Sequence, residues 1–283
     1  SSDLTVARLK SDGNLDSTFG INGANIMDLY PGHDNCLNGI ALLNDGKILA
    51  CGFVGTGTNT CVGLLVRYNT DGTVDTTFNH TGIVQTDLGG SSYAWFQKIK
   101  IQNDGKYVVC GHRSNGSNKD FLIARFDTTG DLDTSFNTVG YQTADYMGYD
   151  DGFYQLVIQP DGKIVAVGAG ANASSNDFAI CRVNTDGSWD TTFNGTGRNI
   201  HQGLNNSEDI HYDALLGYQG KILSAGKSAA ISFANTVVQY KADGTIDSTF
   251  CTNGIYSENG AQSMPGVTNT NRSEEHTSEL QSP

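Results

Sequence analysis

A nine-residue pattern recurs five times along this chain at a nearly constant interval, and no other feature constrains its fold as strongly. The copies read SDGNLDSTF ending at Phe19, TDGTVDTTF at Phe78, TTGDLDTSF at Phe136, TDGSWDTTF at Phe193 and ADGTIDSTF at Phe250. The phenylalanines lie 59, 58, 57 and 57 residues apart. A second marker keeps step with the first: NDGK at Lys47, NDGK at Lys106, PDGK at Lys163 and YQGK at Lys221, spaced 59, 57 and 58. Two independent markers in one register establish a tandem repeat.

Each unit reads as four short strands. After the Phe comes a short segment such as Ile83 to Asp87 (strand A), then an alternating stretch such as Gln97 to Ile101 (strand B). An Asp-Gly turn follows, with Gly suited to the left-handed position and Pro160 presetting φ in one copy. The next run is almost wholly apolar: Ile48 to Phe53, Tyr107 to Gly111, Ile164 to Gly168 and Ile222 to Gly226 (strand C). A last apolar segment, as in Leu64 to Tyr68 and Phe121 to Phe126, is strand D.

Strand C is apolar on both faces, so both faces need cover. A four-stranded antiparallel blade stacked between two neighbours supplies it, which predicts an all-β chain built as a β-propeller. The longest regular link, about a dozen residues between D and the following A, is expected to carry the chain from a blade's outer edge to the next blade's inner strand. In that link the repeated Asp-[Ser/Thr]-[Ser/Thr]-Phe sets a tight turn, and the Phe plugs the space between blades. Trp189 takes the place of Leu15, Val74, Leu132 and Ile246, and reads as a packing residue.

Residues 1–259 form the repeat domain, with units at about 20–69, 79–127, 137–184 and 194–242 and partial units at 3–10 and 250–259. Four complete units with flanking strands overfill a four-bladed ring. The expectation is an open arc of a propeller with at least five blades, prone to self-association through its open edges. Residues 260–271 carry no assignment. Residues 272–283 begin RSEEHTSELQS, which resembles a translated sequencing adapter; the natural protein is expected to continue past Asn271.

The markers DGxxDxxF and xDGK, followed by an apolar strand, resemble the delta-60 repeat family over residues 3 to 259. The resemblance implies a β-propeller in a bacterial, exported or surface-attached protein with many units, and it carries no activity. Three positions depart from the pattern: Gln219 for Asp in the fourth turn, Thr129 for Asp in one connector and Gln239 for a recurrent Arg.

Charge narrows the partners. The chain has 17 Lys and Arg against 30 Asp and Glu, a net charge of −13. That balance opposes binding to nucleic acid or an anionic membrane. No apolar run is long enough to span a bilayer, and no secretory signal stands at Ser1.

Several groups are candidates for chemistry. Asn69, Asp71 and Asp75 supply oxygens at spacings like those of a calcium loop, although Lys10 and Lys241 replace the first position in two copies. Asp28, Asp87 and Asp145 each fall nine residues after a Phe; an inner strand A would bring them to the channel mouth, able to hold Ca²⁺. Gln202 and Asn259 replace them in the later units, and a carboxylate ending a strand in a local turn is the competing reading. Arg8, Arg67, Arg125 and Arg182 recur late in strand D, where pairing with connector Asp residues is the simpler reading than a carboxylate grip. No pair of acids stands out for glycoside hydrolysis, and the six Cys show no disulfide framework.

The A–B and C–D loops vary between units while the opposite turns repeat. Trp95, Tyr93, Tyr149, Phe153, Tyr154, His211 and Tyr212 lie at or near A–B loops. They suit glycan or protein recognition, with packing at strand starts as the alternative, Phe153 especially. Three functional readings remain open: a non-catalytic extracellular module binding glycan or protein through its loop face, a propeller hydrolase or lyase using axis carboxylates, and a structural spacer.

Overall fold

A computed structural model of the chain describes residues 2–257, apart from 58–59, 89–92, 204–206, 230–233 and 252. Glu258, Asn259 and the adapter-like tail therefore lie outside the described residues. The described residues form eighteen strands and no α-helix. β1 (Leu4–Ala7) and β2 (Ala24–Met27) make a two-stranded sheet. Four four-stranded antiparallel sheets follow. The first is β3 (Asn35–Leu42), β4 (Ile48–Gly57), β5 (Thr60–Tyr68) and β6 (Ile83–Thr86). The second is β7 (Ala94–Ile101), β8 (Tyr107–Ser114), β9 (Lys119–Phe126) and β10 (Tyr141–Ala144). The third is β11 (Gly152–Ile158), β12 (Ile164–Ala171), β13 (Asn176–Val183) and β14 (Arg198–His201). The fourth is β15 (Asp209–Leu216), β16 (Ile222–Ser228), β17 (Ala234–Tyr240) and β18 (Ile255–Ser257). The sheets are the blades of an open propeller.

The order of strands within a blade differs from the expectation. Segment A pairs with the D strand before it, as β6 does with β5 at Val66↔Ile83, and so closes the same blade. Adjacent blades meet through their first strands, β3 on β7, β7 on β11 and β11 on β15, so the B segments line the axis and the A segments are outermost. The connector is long because it folds on itself. In it Asn69 donates N–H to Thr73 O at 2.8 Å, Phe78 to Asp75 O at 3.0 Å, and Gly82 to Phe78 O at 2.6 Å, which returns the chain to the flank of β5. The shorter segment after each A strand makes the crossing to the next blade.

Each axial strand carries a β-bulge at the same point: Leu37/Gly39, Phe96/Lys98, Phe153/Gln155 and His211/Asp213. The bulge drives its backbone into the second strand, where Gly52, Gly111, Gly168 and Gly226 stand. A Cβ there would lie 1.8, 2.0, 2.0 and 1.9 Å from the carbonyl oxygens of Cys36, Trp95, Gly152 and Ile210. Only glycine admits that approach.

The cores lie between blades. Leu49, Cys51 and Leu65 of the first blade pack with Ile99, Val109 and Leu122 of the second, and Val108, Cys110 and Ile123 pack on Leu156, Ala166 and Ala179 of the third. This explains why the second strands are apolar on both faces.

The repeated motif is a clasp between blades. In four copies the first Asp caps its own turn, as Asp71 Oδ1 accepts from Thr73 N at 2.9 Å; in the third, where Thr129 replaces it, Asp127 Oδ1 accepts from Thr129 N at 2.8 Å. The second Asp is a node: Asp75 Oδ2 accepts from Arg67 Nε at 2.7 Å and Lys47 Nζ at 2.8 Å, and Oδ1 from the Thr77 hydroxyl at 2.6 Å. Against the penalty of burial, the bonds from Lys47, Thr77 and Arg67 hold the Asp75 carboxyl well below the usual range. The Arg then reaches forward: Arg67 Nη1 donates to Thr128 O of the next turn at 3.1 Å, and Arg182 Nη1 to Ala242 O at 2.7 Å. Phe19, Phe78, Phe136 and Phe193 are fully buried and lie against Gly72, Gly130, Gly187 and Gly244 of the following turn. Gln239 keeps the bond to Asp247 at 2.7 Å, and Gln219 accommodates the altered fourth turn at φ 57.

Candidate functional site

The variable loop side carries one aromatic cluster, at the junction of the first two full blades. Trp95 stands in β7 where the other axial strands have Cys36, Gly152 and Ile210. Its cross-strand partner is His112, and Phe53 holds the matching place in the preceding blade. Trp95 stacks on Phe53 with centroids 3.6 Å apart and planes 21° apart. His112 lies 5.7 Å away at 24°, and Tyr93 stacks 6.2 Å from Trp95 and 5.6 Å from His112. Four nearly parallel rings thus form one wall. Trp95 Nε1 donates to Gln97 Oε1 at 2.9 Å, which fixes the indole, and the Lys119 ammonium sits 5.1 Å from the Tyr93 centroid.

The wall borders a cleft of about 550 Å³. Phe53, Tyr93 and Trp95 face it with His33, Asp34, Thr60, Cys61 and the backbone of Gly32, Gly55 and Gly57. The side chains of the wall are uncharged. Burial pushes His112 down to about 4, Tyr93 up to about 12 and the Cys61 thiol up to about 11. Among the described residues of the lining Asp34 is the one carboxylate, and there is no Lys or Arg. His112 Nε2 is buried without a hydrogen-bond partner among the described residues.

The other aromatic candidates separate. Tyr154 and Tyr212 occupy the bulges of β11 and β15 and meet edge to face at 5.6 Å, Tyr212 being 47% exposed. Tyr149 is 43% exposed on the 145–151 loop. His211 is a correction: it is fully buried, stacked on Phe178 at 4.2 Å, with Nε2 2.8 Å from the Tyr240 hydroxyl. It occupies the core position that Phe96 and Phe153 hold in other blades, an alignment visible in the repeat. Phe153 packs on Phe121 at 4.4 Å, as its packing reading required.

Asp28, Asp87 and Asp145 follow the outermost strands β2, β6 and β10 of three different sheets, not the channel mouth. Asp28 Oδ1 accepts from Asn35 Nδ2 at 3.2 Å, and Asp145 Oδ1 from Asn118 Nδ2 at 3.0 Å. Asp71 and Asp75 are turn and clasp elements whose oxygens are engaged by protein donors, and Asn69 Nδ2 donates to Thr73 Oγ1 at 3.0 Å within the same turn. No group of three or more His, Cys, Asp or Glu among the described residues is placed to hold a metal ion. Arg8, Arg67, Arg125 and Arg182 pair with connector carboxylates at 2.6 to 2.8 Å. All six Cys are free thiols.

Asp151 is a loop clamp. Its oxygens accept from Tyr146 N at 2.7 Å and Ala171 N at 2.9 Å, and burial raises its carboxyl to about 7. Sequence reasoning missed Phe53 and His112 of the wall, and His33 and Asp34 of the cleft lining. The signal for the first two was variation: the position after the fixed glycine reads Phe53, His112, Ala169 and Lys227.

Three solved structures resemble the chain at a distance. An endo-1,4-beta-xylanase from Bacteroides thetaiotaomicron VPI-5482 is 11% identical with a TM-score of 0.35, over 71% of this chain and 66% of that chain, just under two thirds of its length. A putative exo-beta-1,3-galactanase from Bifidobacterium bifidum s17 is 14% identical with a TM-score of 0.38, over 87% and 76%. A GH43 endo-arabinanase from Bacillus licheniformis is 13% identical with a TM-score of 0.36, over 73% and 74%. At this distance they bear on neither activity nor ligand. No curated protein matches the chain. The family model for the domain of unknown function (DUF5122) beta-propeller matches residues 1–19, 43–78, 102–136, 159–193 and 220–250, the segments that build the clasps and the Asp-Gly turns, and the chain belongs to that family.

Proposed function

We propose that this chain is a non-catalytic, extracellular binding module whose loop-side cleft takes a neutral glycan. The observation that carries the reading is the aromatic wall of Phe53, Trp95 and Tyr93 beside the hydrogen-bonding groups of His33, Asp34 and Thr60. Apolar sugar faces pack on aromatic rings while hydroxyls take polar partners at the rim, the usual composition of a small-molecule cleft. One carboxylate and no Lys or Arg among the described lining residues, on a chain of net charge −13, disfavour uronates and sulfated sugars. Glycoside hydrolysis needs two carboxyl groups across the scissile bond, and Asp34 is the one carboxylate among the described residues of the cleft.

Titration of neutral oligosaccharides against tryptophan fluorescence and heat release tests the reading. Saturable binding is expected, weakened at least about tenfold by Trp95→Ala, in line with the loss of an aromatic anchor. Tyr212→Ala, at the separate axial pair, is expected to leave affinity unchanged. Absence of binding across the panel refutes the glycan, and release of reducing sugar refutes the non-catalytic reading.

A further inference from the structure

The loop that brings His33 and Asp34 to the cleft occurs twice in the chain. Residues 30–35 read YPGHDN and residues 146–151 read YMGYDD. Counted back from the bulges of β3 and β11, the two segments hold the same place in the first and third full blades. The crossings into the second and fourth, GGSSYA at 89–94 and LNNSED at 204–209, lack the pattern, so the propeller itself does not require it. Each copy is a four-residue turn with glycine in the left-handed region. His33 donates N–H to Tyr30 O at 3.1 Å with Gly32 at φ 87, and Tyr149 to Tyr146 O at 3.5 Å with Gly148 at φ 77. The second copy carries Tyr149 and Asp150 where the first carries His33 and Asp34.

This second copy adjoins the far end of the aromatic wall. Tyr93 lies 6.2 Å from Trp95 between ring centroids, and the Lys119 ammonium lies 5.1 Å from the Tyr93 centroid. The same ammonium stands 3.5 Å from Asp150 Oδ2. Rings and hydrogen-bonding groups therefore form one connected series from the cleft to the 145–151 loop.

The loop is fixed in place before any ligand arrives. Lys119 N–H donates to Asp150 Oδ1 at 3.0 Å, Asn118 Nδ2 to Tyr149 O at 2.6 Å, and Asp151 N–H to Lys119 O at 2.8 Å. Met147 is held at φ 59 and is 67% exposed, and Tyr149 is 43% exposed. A residue other than glycine keeps such a conformation only where its surroundings over-determine it. Exposed aromatics on a pinned loop supply contact area at little entropic cost. The Lys119–Asp150 pair is itself exposed, with an ammonium to donate to hydroxyls and a carboxylate to accept from them.

We propose that the cleft continues past Tyr93 into a second subsite formed by Lys119, Tyr149 and Asp150, and that its ligand is a linear neutral glycan several sugars long. The inference rests on the glycan reading of the cleft and adds the length of ligand that the site takes. One sugar packs on Tyr93 and Trp95 beside His33 and Asp34. The sugars that follow cross the Lys119–Asp150 pair and end against Tyr149.

Calorimetric titration of the full chain with linear gluco-, xylo- and manno-oligosaccharides, each series as its disaccharide and its hexasaccharide, tests this. In a series that binds, the hexasaccharide is expected to bind at least about tenfold tighter than the disaccharide, the scale of one further aromatic anchor. Tyr149→Ala and, separately, Lys119→Met are expected to bring that ratio toward one, whereas Trp95→Ala weakens both lengths. Partial misfolding of a variant lowers both affinities together, so the ratio reports the second subsite alone. Equal affinity for the two lengths, or a ratio moved by neither Tyr149→Ala nor Lys119→Met, overturns the second subsite and leaves the glycan reading of the cleft standing. Absence of binding in every series overturns both.

Discussion

Arg67 and Thr128 lie 61 residues apart in sequence and are joined by a 3.1 Å hydrogen bond from the guanidinium Nη1 to the backbone carbonyl. The same guanidinium donates through Nε to Asp75 and lies over Phe78, its Cζ 4.6 Å from the ring centroid. One side chain therefore ties the outer turn of its own blade to that of the next. Arg8, Arg125 and Arg182 repeat the arrangement over Phe19, Phe136 and Phe193. Stability in such a chain resides in nearest-neighbour interfaces as much as in the blades.

The node of the clasp is its carboxylate. Asp190 has a side chain 4% exposed and accepts from Lys163 and Arg182 together. Asp190→Asn leaves two cations facing a neutral amide, and a loss of about 3 kcal/mol is expected. Arg182→Lys keeps a cation beside Asp190 but loses the fork that reaches Ala242 O and Thr192 Oγ1, with an expected loss of about 1–2 kcal/mol. Urea unfolding of the two variants checks the order; a larger loss from Arg182→Lys would place the node at the arginine.

The clasps and the loop clamp oppose each other in pH. Asp75, Asp133 and Asp190 titrate below their ordinary value, because donors outweigh burial, so their contribution is present above about 4 and falls away as acid protonates them. Asp151 is raised from 3.8 to about 7 by burial, so the folded state holds an extra proton between those values. Its contribution is full below 3.8 and is lost as pH rises to about 7. In the same window the buried, neutral His112, His201 and His211 act in the opposite sense, because the unfolded chain binds protons there that the folded chain does not. The stability of the wild type relative to Asp151→Asn is therefore expected to fall as pH rises from 3.8 to about 7, and a denaturation series in pH steps on both chains reads that difference.

The period and the blade content were legible because DGxxDxxF and xDGK recur in register. The recurrent Arg pointed correctly to the connector carboxylates. The phase of the blades was not legible. A connector of about a dozen residues looks long enough to cross between blades, and only its internal turns, such as Phe78 on Asp75, show that it spans little distance. That one inversion moved Asp28, Asp87 and Asp145 from the axis to the rim. The cleft was half legible: Trp95 and Tyr93 stand out as loop aromatics, whereas Phe53 reads as one more apolar residue of a core strand. Its role depends on Trp95 of the next blade, which stacks on it with centroids 3.6 Å apart.

Thiol reactivity follows the interblade cores. Cys51, Cys110 and Cys181 are at most 1% exposed, and burial pushes all three thiols up. Cys61 is 4% exposed and raised to about 11. Cys36 and Cys251 are half-buried. A native chain treated with an aromatic disulfide reagent near pH 8 is expected to react at Cys251 and Cys36 before the other four, and more slowly at Cys36, whose thiol is pushed up by burial and by Asp34, because the thiolate is the nucleophile. Full reactivity should appear only on unfolding. Rapid native modification of Cys51, located by peptide mapping, would mean that the first two full blades separate in solution, and of Cys110 that the second and third do.

Gly111 joins the fold to the cleft. A Cβ at this position would stand 2.0 Å from the Trp95 carbonyl oxygen and 3.2 Å from the Gln97 nitrogen. Gly111→Ala must therefore flatten the Phe96/Lys98 bulge or push β7 away from β8, and a loss of at least about 3 kcal/mol is expected from such overpacking. Gly168→Ala meets the Gly152 carbonyl at the same 2.0 Å and should cost a similar amount. The two differ in what they do to Trp95. Only Gly111→Ala displaces the indole from its place on Phe53, so its tryptophan emission should shift to the red and ligand binding at the cleft should fall. Gly168→Ala, compared at a temperature where both variants remain folded, should keep the native emission. Equal spectral changes in the two variants would show that the stack is set by the loops around it and not by the bulge.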